Sequence, residues 1–386
     1  MLQASTCRLT RWHPRSIGCS EVRMARPLSW EGTTHSNRWF RPCQVLPFDG
    51  GRGARYPRGM PGPMPKIIVI VGPTASGKSA LGLEVAKRFG GEVLAADSRT
   101  VYRGMEIGTA KSAGDEASGL RPQAAGISAL FPGGKSRVIQ GVPHWGFDLA
   151  NPDEPYSVAD YKKYADGKIA DILKRGKLPV VVGGTGLWVK AIVDNPTYAQ
   201  TPPVYALRAQ LDARGLGDLY AEYKRLDPEG AEVIDRDNKR RVVRALEVTL
   251  ATGKPFSQQL TKGDPKYDAL QIGLEVGREE LNRRIDERVE EMVAHGLVDE
   301  VRALKTKYGC DTEAMSGIGY RQICFFLDGK APLAAAVEET KKATRAYAKR
   351  QMTWFKRDDR INWVKGNEEA MGLIEEWAGV GKGLQG

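Results

Sequence analysis

The sequence predicts an α/β protein built on a doubly wound parallel sheet. Residues 66–71 (KIIVIV) are all apolar except the first, as expected of a strand that is buried on both faces of a parallel sheet. A glycine-rich loop and a helical pattern over 78–89 follow, and further apolar runs occupy 92–96 (EVLAA) and 178–182 (LPVVV). This alternation of strand and helix places the active loops at the carboxyl ends of the strands.

From about residue 200 onward the pattern becomes mostly helical. We predict a strand over 270–276 and helices over 157–175, 238–250, 279–294, 298–307 and 333–356. The resulting organisation is a basic extension over 1–65, an α/β core over 66–199, a mostly helical insert over 200–265, a return to the core with C-terminal helices over 266–365, and a tail over 366–386. The stretch 112–140 is rich in Gly, Ala and Ser and is predicted to be a loop insertion.

The net charge of +11 is concentrated at the start of the chain. Residues 1–65 contain ten arginines, no lysine and three acidic residues, so this segment carries +7 and the remaining 321 residues carry +4. Three interpretations of the segment stay open: a disordered basic arm, an organelle transit peptide, or an upstream mis-start with Met64 as the initiator. We favour the third, because an ordered domain begins at Lys66 without a connecting element.

Hydropathy and cysteine usage exclude some classes of protein. No run approaches the 18 apolar residues of a membrane-spanning helix, so we expect no membrane partner. Five cysteines without a CxxC pair predict neither a disulfide framework nor a zinc site, and they indicate a reducing compartment. We therefore expect a cytoplasmic protein, or an organellar one if residues 1–65 are a transit peptide. We also expect a monomer.

The loop after the first strand fits the Walker A pattern GxxxxGK[ST], and it lies between a strand and a helix as that motif requires. Its glycines let backbone N–H groups face an anion, the helix amino terminus adds positive potential, Lys78 supplies a charge, and the Ser79 hydroxyl can reach Mg²⁺. The sequence thus predicts a diphosphate site and a Mg²⁺ cofactor. The diphosphate-binding residues are Gly72, Pro73, Thr74, Ala75, Ser76, Gly77, Lys78 and Ser79.

A P-loop identifies a diphosphate but not a reaction. A nucleotide hydrolase should carry a second apolar strand that ends in an Asp, whereas the strand over 178–182 ends in Gly183 and Gly184. The acidic residue at a strand end beside the P-loop is Asp97. From the residues alone, Asp97 is either a carboxylate on the Mg²⁺ side or a general base.

Five further motifs resemble those of the tRNA dimethylallyltransferases and follow that family's order over roughly residues 65–364. They are Asp97–Lys111 (DSRTVYRGMEIGTAK), Gly183–Trp188 (GGTGLW), Arg240–Val248 (RRVVRALEV), Gly319–Gln322 (GYRQ) and Lys349–Trp354 (KRQMTW). The resemblance implies a P-loop NTPase-like core with an inserted tRNA-binding region.

The resemblance also implies a reaction and its residues. A dimethylallyl group would pass from dimethylallyl diphosphate to N6 of the adenosine 3′ of the anticodon (position 37), in tRNAs that read codons beginning with U, with release of diphosphate. The resemblance makes Asp97 the general base, places Thr185 at the tRNA or the reacting adenine, and assigns Arg288 to the charge on the leaving group.

An adenine of the anticodon loop must leave its stack to reach a buried diphosphate, so a basic surface should surround the site. Spacing places Lys341, Arg345 and Lys349 on one face of the last long helix, as a stripe suited to phosphates. The predicted tRNA-binding residues are Asp97, Ser98, Arg99, Thr100, Thr185, Arg208, Arg240, Arg241, Arg244, Gly319, Tyr320, Arg321, Lys349, Arg350, Gln351 and Trp354.

Three other functions compete with tRNA prenylation. An adenylate isopentenyltransferase that acts on free nucleotides should lack the helical insert and the GYR block, and both are present here. A small-molecule P-loop kinase needs no basic C-terminal helix. A non-catalytic RNA-binding module would not require Lys78, Ser79 and Asp97 together.

Overall fold

The described residues of the chain, which are 64–111, 136–197, 201, 204–259 and 263–379 of a computed structural model, form one seven-stranded sheet with helices on both faces. The interpretations of the N-terminal extension therefore lie outside the described residues, apart from Met64 and Pro65. The strands, β1 to β7 in chain order, are Lys66–Val71, Glu92–Ala95, Arg137–Ile139, Val142–Trp145, Pro179–Gly183, Asp268–Leu274 and Ile361–Val364.

Twelve helices occur within the same described residues, together with short 3₁₀ turns at Ser257–Gln259 and Ala314–Ser316. In chain order, α1 to α12 are Lys78–Arg88, Val158–Lys174, Gly186–Val193, Tyr205–Asp212, Leu216–Leu226, Pro228–Val233, Lys239–Thr252, Arg278–Ala294, Leu297–Tyr308, Tyr320–Leu327, Leu333–Phe355 and Asn367–Ala378. The strands and helices expected from hydrophobic periodicity are confirmed, with ends that differ by at most three residues.

The strand order is β3-β4-β2-β5-β1-β6-β7, and all neighbours are parallel except the antiparallel pair β3 and β4. Successive side chains of β1 point to opposite faces of the sheet. Ile67 and Val69 therefore join the core formed with α2 and α3, whereas Ile68 and Ile70 join the core formed with α1 and α12. Both faces are covered, which explains why the β1 sequence is an uninterrupted apolar run. The predicted α/β, P-loop NTPase-like fold is confirmed.

Helices α4 to α7 lie between α3 and β6 in the chain and share a core of their own. Its buried members are Leu211, Leu219, Tyr223, Ala231, Val242, Val243, Ala245 and Leu246. These helices occupy most of the range predicted as the helical insert. The exact domain boundaries stay predictions.

Three expectations are wrong. Arg137–Ile139, within the predicted loop insertion, pairs with β4 as an edge strand, and the masked part of that insertion, 112–135, lies outside the described residues. The predicted tail contains α12, whose apolar side chains pack against the sheet. Cys310 and Cys324 form a disulfide, although 14 residues of sequence separate them, because the turn after α9 brings Cys310 against α10. Within the described residues, no helix is both long and apolar enough to span a membrane.

We expect Ile374→Ala to lower the free energy of unfolding by about 2–4 kcal/mol, because Ile374 of α12 is fully buried in the core that α12 shares with α1. Urea denaturation followed by circular dichroism measures this change. The matched control is Glu376→Ala on the exposed side of the same helix. Equal midpoints for the two variants would show that α12 does not contribute to the core.

Candidate active site

The candidate active site lies where three neighbouring strands end. In a parallel sheet the carboxyl ends of adjacent strands meet at one edge, and the order β2-β5-β1 brings three loops together there. Asp97 follows β2, the turn Gly184–Gly186 follows β5, and the P-loop Gly72–Gly77 follows β1. The P-loop and the candidate base are thus separated by the width of one strand.

The P-loop has donors directed toward its centre. Gly77 adopts a φ of +93°, which glycine reaches without steric cost, and α1 begins at the next residue. The Lys78 Nζ donates to the Pro73 carbonyl at 3.1 Å. The Ser76 hydroxyl is buried and has no hydrogen-bond partner among the described residues. An unpaired buried hydroxyl beside a helix amino terminus fits an anion bound by this loop.

Three charged side chains interact across this edge of the sheet. Burial lowers the pKa of Lys78 to about 8, while the charge of Asp97 opposes that shift and the charge of Arg288 adds to it. Burial also lowers the pKa of Arg288, against the charges of Asp97 and Glu291. Two cations and one carboxylate therefore share the partly buried space beside the P-loop.

Arg288 reaches this space because α8 packs onto the P-loop. Leu281 and Ile285 of α8 are buried in a small cluster with Ala348 of α11, and Ala75 of the P-loop packs against it. Arg288 lies one turn after Ile285 and so extends from a neighbouring part of the same face. Arg284 is exposed instead and forms an ion pair with Glu280 at 2.6 Å, outside the site.

Backbone N–H groups of the segment that follows β2 hold the side chains of both Asp97 and Thr185. One carboxylate oxygen of Asp97, Oδ1, accepts a hydrogen bond from the Arg99 N–H at 2.8 Å. The Thr185 Oγ1 accepts from the Ser98 N–H at 3.1 Å. The predicted catalytic residues Asp97, Thr185 and Arg288 therefore meet beside Lys78 of the P-loop.

Tyr347 of α11 belongs to the same place and was missed in the sequence. Its hydroxyl interacts with Thr185, and burial together with the charge of Asp97 raises the pKa of Tyr347 to about 12. A helical signal for it exists, because Tyr347, Gln351 and Trp354 are spaced four and three residues apart and so share one face.

Several predicted tRNA-binding residues have internal contacts instead. The Arg99 guanidinium donates to the carbonyls of Glu313 and Ala314, at 2.6 and 3.3 Å. Thr100 is buried and donates to the Asp97 carbonyl at 3.3 Å. Tyr320 is 1% exposed, so a direct tRNA contact by this side chain is wrong.

Tyr320 instead supports the loop after β2. Its hydroxyl donates to the Glu300 carboxylate at 2.7 Å, and that carboxylate also accepts the N–H groups of three consecutive loop residues, Glu106, Ile107 and Gly108. Gly319 is buried before it, with a φ of +91°, and Arg321 is exposed after it. Of the three residues Gly319, Tyr320 and Arg321, only Arg321 is exposed and so able to contact RNA.

The insert uses two of its predicted arginines internally. Arg208 and Arg244 contact the fully buried Glu247 carboxylate at 2.7 and 2.8 Å. Their hydrogen bonds and charges hold the pKa of Glu247 below its usual range, against the effect of burial. Arg240 and Arg241 are exposed at the start of α7, so their contact with tRNA stays a prediction.

The last long helix, α11, faces the site with side chains that were predicted to contact tRNA. Gln351 is buried between the P-loop and the turn after β5, and Trp354 lies against Gly186. The predicted phosphate-binding stripe is wrong in part, because Lys341 and Arg345 form ion pairs with Glu290 and Asp286 of α8. Lys349 and Arg350 are exposed.

Metal-binding groups are sparse at the site. No group of three or more His, Cys, Asp or Glu side chains within the described residues could hold a metal ion. Ser79 is exposed in the first turn of α1, next to Lys78. This donor set fits Mg²⁺, which is commonly held by substrate phosphates and water with few protein ligands.

Known proteins are similar in sequence and structure to most of the length of this chain. The family model described as IPP transferase matches residues 100–358. A tRNA dimethylallyltransferase of Geobacillus thermodenitrificans is 41% identical over 77% of this chain and 90% of its own length. One of Streptomyces coelicolor is 43% identical over 79% of this chain and 91% of its own length.

Two solved structures resemble the fold. The tRNA isopentenylpyrophosphate transferase of Bacillus halodurans has a TM-score of 0.57 and 36% identity, over 81% of this chain and 96% of that one. A eukaryotic dimethylallyltransferase acting on tRNA has a TM-score of 0.66 and 26% identity, over 82% of this chain and 80% of that one. The extent of these matches shows that this chain belongs to the IPP transferase family.

Proposed function

We propose that this chain is a tRNA dimethylallyltransferase, which moves a dimethylallyl group from dimethylallyl diphosphate to N6 of the adenosine 3′ of the anticodon and releases diphosphate. The observation that carries the proposal is the meeting of Asp97, Lys78 and Arg288 beside the P-loop. A carboxylate base and two cations for a leaving diphosphate are the groups that this transfer needs.

The two cations act on the leaving group. As the bond between the allylic carbon and the diphosphate oxygen breaks, negative charge grows on that oxygen. Lys78 and Arg288 are already in place and partly removed from water, so their attraction to this charge is stronger than it would be in bulk solvent. With a pKa of about 8, Lys78 remains mainly protonated at neutral pH.

Asp97 acts on the acceptor. The adenine N6 attacks the allylic carbon, the new C–N bond forms as the C–O bond breaks, and the N6 proton passes to Asp97. Its Oδ1 already accepts the Arg99 N–H, which fixes the carboxyl group and leaves Oδ2 for this proton. Thr185 and Tyr347, next to Asp97, would orient the adenine.

Mg²⁺ would be held by the Ser79 hydroxyl and the diphosphate oxygens, and it would supply further positive charge to the leaving group. The residues of the chain do the remaining work. The P-loop N–H groups and Lys78 bind the diphosphate, and α8 presents Arg288 to it.

The tRNA would lie over the exposed basic residues around this edge of the sheet. A flipped adenine is cheaper to extrude from a loop than from a duplex, which suits an anticodon-loop substrate. The candidates that keep exposed cationic side chains are Arg240, Arg241, Arg321, Lys349 and Arg350. The names of the relatives support tRNA as the acceptor, and so does the neighbour solved while acting on tRNA.

A direct test is to incubate the purified chain with labelled dimethylallyl diphosphate and Mg²⁺, in parallel with bulk tRNA, AMP or ATP. We expect the label in tRNA, at the adenosine next to the anticodon. Transfer to AMP or ATP would identify an adenylate isopentenyltransferase, and release of inorganic phosphate from ATP without labelled tRNA would identify a hydrolase.

We expect Asp97→Ala to lower the single-turnover rate at least about a hundredfold, the usual scale for a lost general base. Binding of dimethylallyl diphosphate and tRNA should persist, because the P-loop and the exposed basic residues are unchanged. Rapid-quench measurement at saturating substrates gives the rate, and filter binding gives the tRNA affinity. A variant that prenylates tRNA at the wild-type rate would exclude Asp97 as the base.

We expect Lys349→Ala combined with Arg350→Ala to weaken tRNA binding and to flatten its dependence on salt, because two phosphate contacts are lost. The matched control is Lys174→Ala combined with Lys177→Ala, which removes the same charge near the start of β5, at the opposite edge of the sheet. Filter binding across a salt titration measures both. Superimposable curves for the two double variants would place the tRNA elsewhere.

A further inference from the structure

Gln351 connects the two loops that would hold the two substrates. Its Oε1 accepts a hydrogen bond from the Thr74 N–H of the P-loop at 2.9 Å. Its Nε2 donates to the Gly184 carbonyl, directly before Thr185, at 2.8 Å. The side chain is 5% exposed, and its bond to Gly184 is buried, whereas its bond to Thr74 is half-buried.

A glutamine is chemically suited to this place. The two backbone groups that it meets are a donor and an acceptor, and a primary amide satisfies both at once. A carboxylate of the same length could only accept, and an apolar side chain would leave the half-buried Thr74 N–H and the buried Gly184 C=O without this partner. The fit is also close, because a Cβ added to Gly184 would lie 2.3 Å from the Gln351 Nε2.

Neighbouring side chains of α11 reinforce the same attachment. Four residues before Gln351, Tyr347 interacts with Thr185. Three residues after it, Trp354 lies so close to Gly186 that an added Cβ would stand 2.1 Å from its indole ring. Ala348 packs in the cluster that joins α11 to α8 and the P-loop. One face of a single helix therefore spans the P-loop and the turn after β5.

We propose that Gln351 is a positioning residue, which sets the distance between the diphosphate held by the P-loop and the adenine held at Thr185. This inference rests on the proposed prenyl transfer. The transfer requires N6 and the allylic carbon to approach in line, and small errors in the relative placement of two reactants cost large factors in rate. Gln351 touches neither reactant, and it acts through the backbone of both loops.

The position of Gln351 separates this role from tRNA binding. Lys349 and Arg350 precede it in the helix and are exposed, whereas the Gln351 amide is occupied by Thr74 and Gly184. Loss of the Gln351 amide should therefore slow the chemical step and leave tRNA affinity nearly unchanged. Loss of Lys349 and Arg350 should instead weaken tRNA binding.

The test uses the full chain with Gln351→Met, which keeps the length of the side chain, and Gln351→Glu, which keeps the acceptor for Thr74 and loses the donor for Gly184. Single-turnover transfer is measured at saturating dimethylallyl diphosphate and tRNA, well below the melting temperature of each variant. We expect the rate to fall at least about tenfold in Gln351→Met. The tRNA dissociation constant should stay within about threefold of the wild-type value.

The variant Gln351→Glu should lose rate as well, since its carboxylate would face the Gly184 carbonyl. A fall in rate of less than about tenfold in both variants would overturn the inference. So would a large loss of tRNA affinity at an unchanged rate, because it would place Gln351 at the RNA. The wild-type chain in the same assay tests the proposed function separately, since failure of wild-type transfer would refute that function itself.

Discussion

The site depends on one carboxylate that balances two cations. Lys78 and Arg288 repel each other, and burial lowers the pKa of both, so bringing them together costs free energy. Asp97 is the negative charge that acts on both of them. A bound diphosphate would bring more negative charge to the same cations. The two cations, which are held close together despite their repulsion, would then attract the leaving group strongly.

The same reasoning explains why net charge is a poor guide to the RNA surface. Many cations of the chain already have internal partners: Lys111 and Arg137 contact Glu106 and Asp148 in one network. Such side chains fix loops and give no free charge to a phosphate. The candidates that remain for RNA are the exposed cations Arg240, Arg241, Arg321, Lys349 and Arg350, which are far in sequence from the basic N-terminal extension.

The sequence was sufficient for the features that depend on local pattern. The β1 apolar run, the P-loop and the start of α1 follow from periodicity and from a motif whose geometry is fixed by its glycines. The edge strand β3 and helix α12 were missed because their stability comes from tertiary packing. The Cys310–Cys324 disulfide was missed because a turn brings the two sulfurs together, and the spacing of the two cysteines in the sequence does not predict that turn.

For the site, the resemblance pointed to whole segments of the chain, and the structure shows which of their residues are buried and which are exposed. Asp97, Thr185 and Arg288 lie together beside the P-loop, and their catalytic roles stay predictions, whereas Tyr320 and Gln351 are buried residues within motifs that had been assigned to RNA as a whole. A motif written as a string cannot show which of its residues point inward. In α11, each residue turns by about 100° from the one before it, so three consecutive residues reach different surroundings.

This rotation explains why the consecutive residues Lys349, Arg350 and Gln351 have different surroundings. Two charged side chains face solvent, and the next one enters the site and joins the P-loop to the turn after β5. The helix is continuous from Leu333 to Phe355, so the outer and inner residues belong to one uninterrupted element. An RNA bound to the exposed side of α11 would therefore contact the same helix that, in our proposal, aligns the diphosphate with Thr185. Under the proposed function, recognition of the acceptor and placement of the donor would then depend on the same helix.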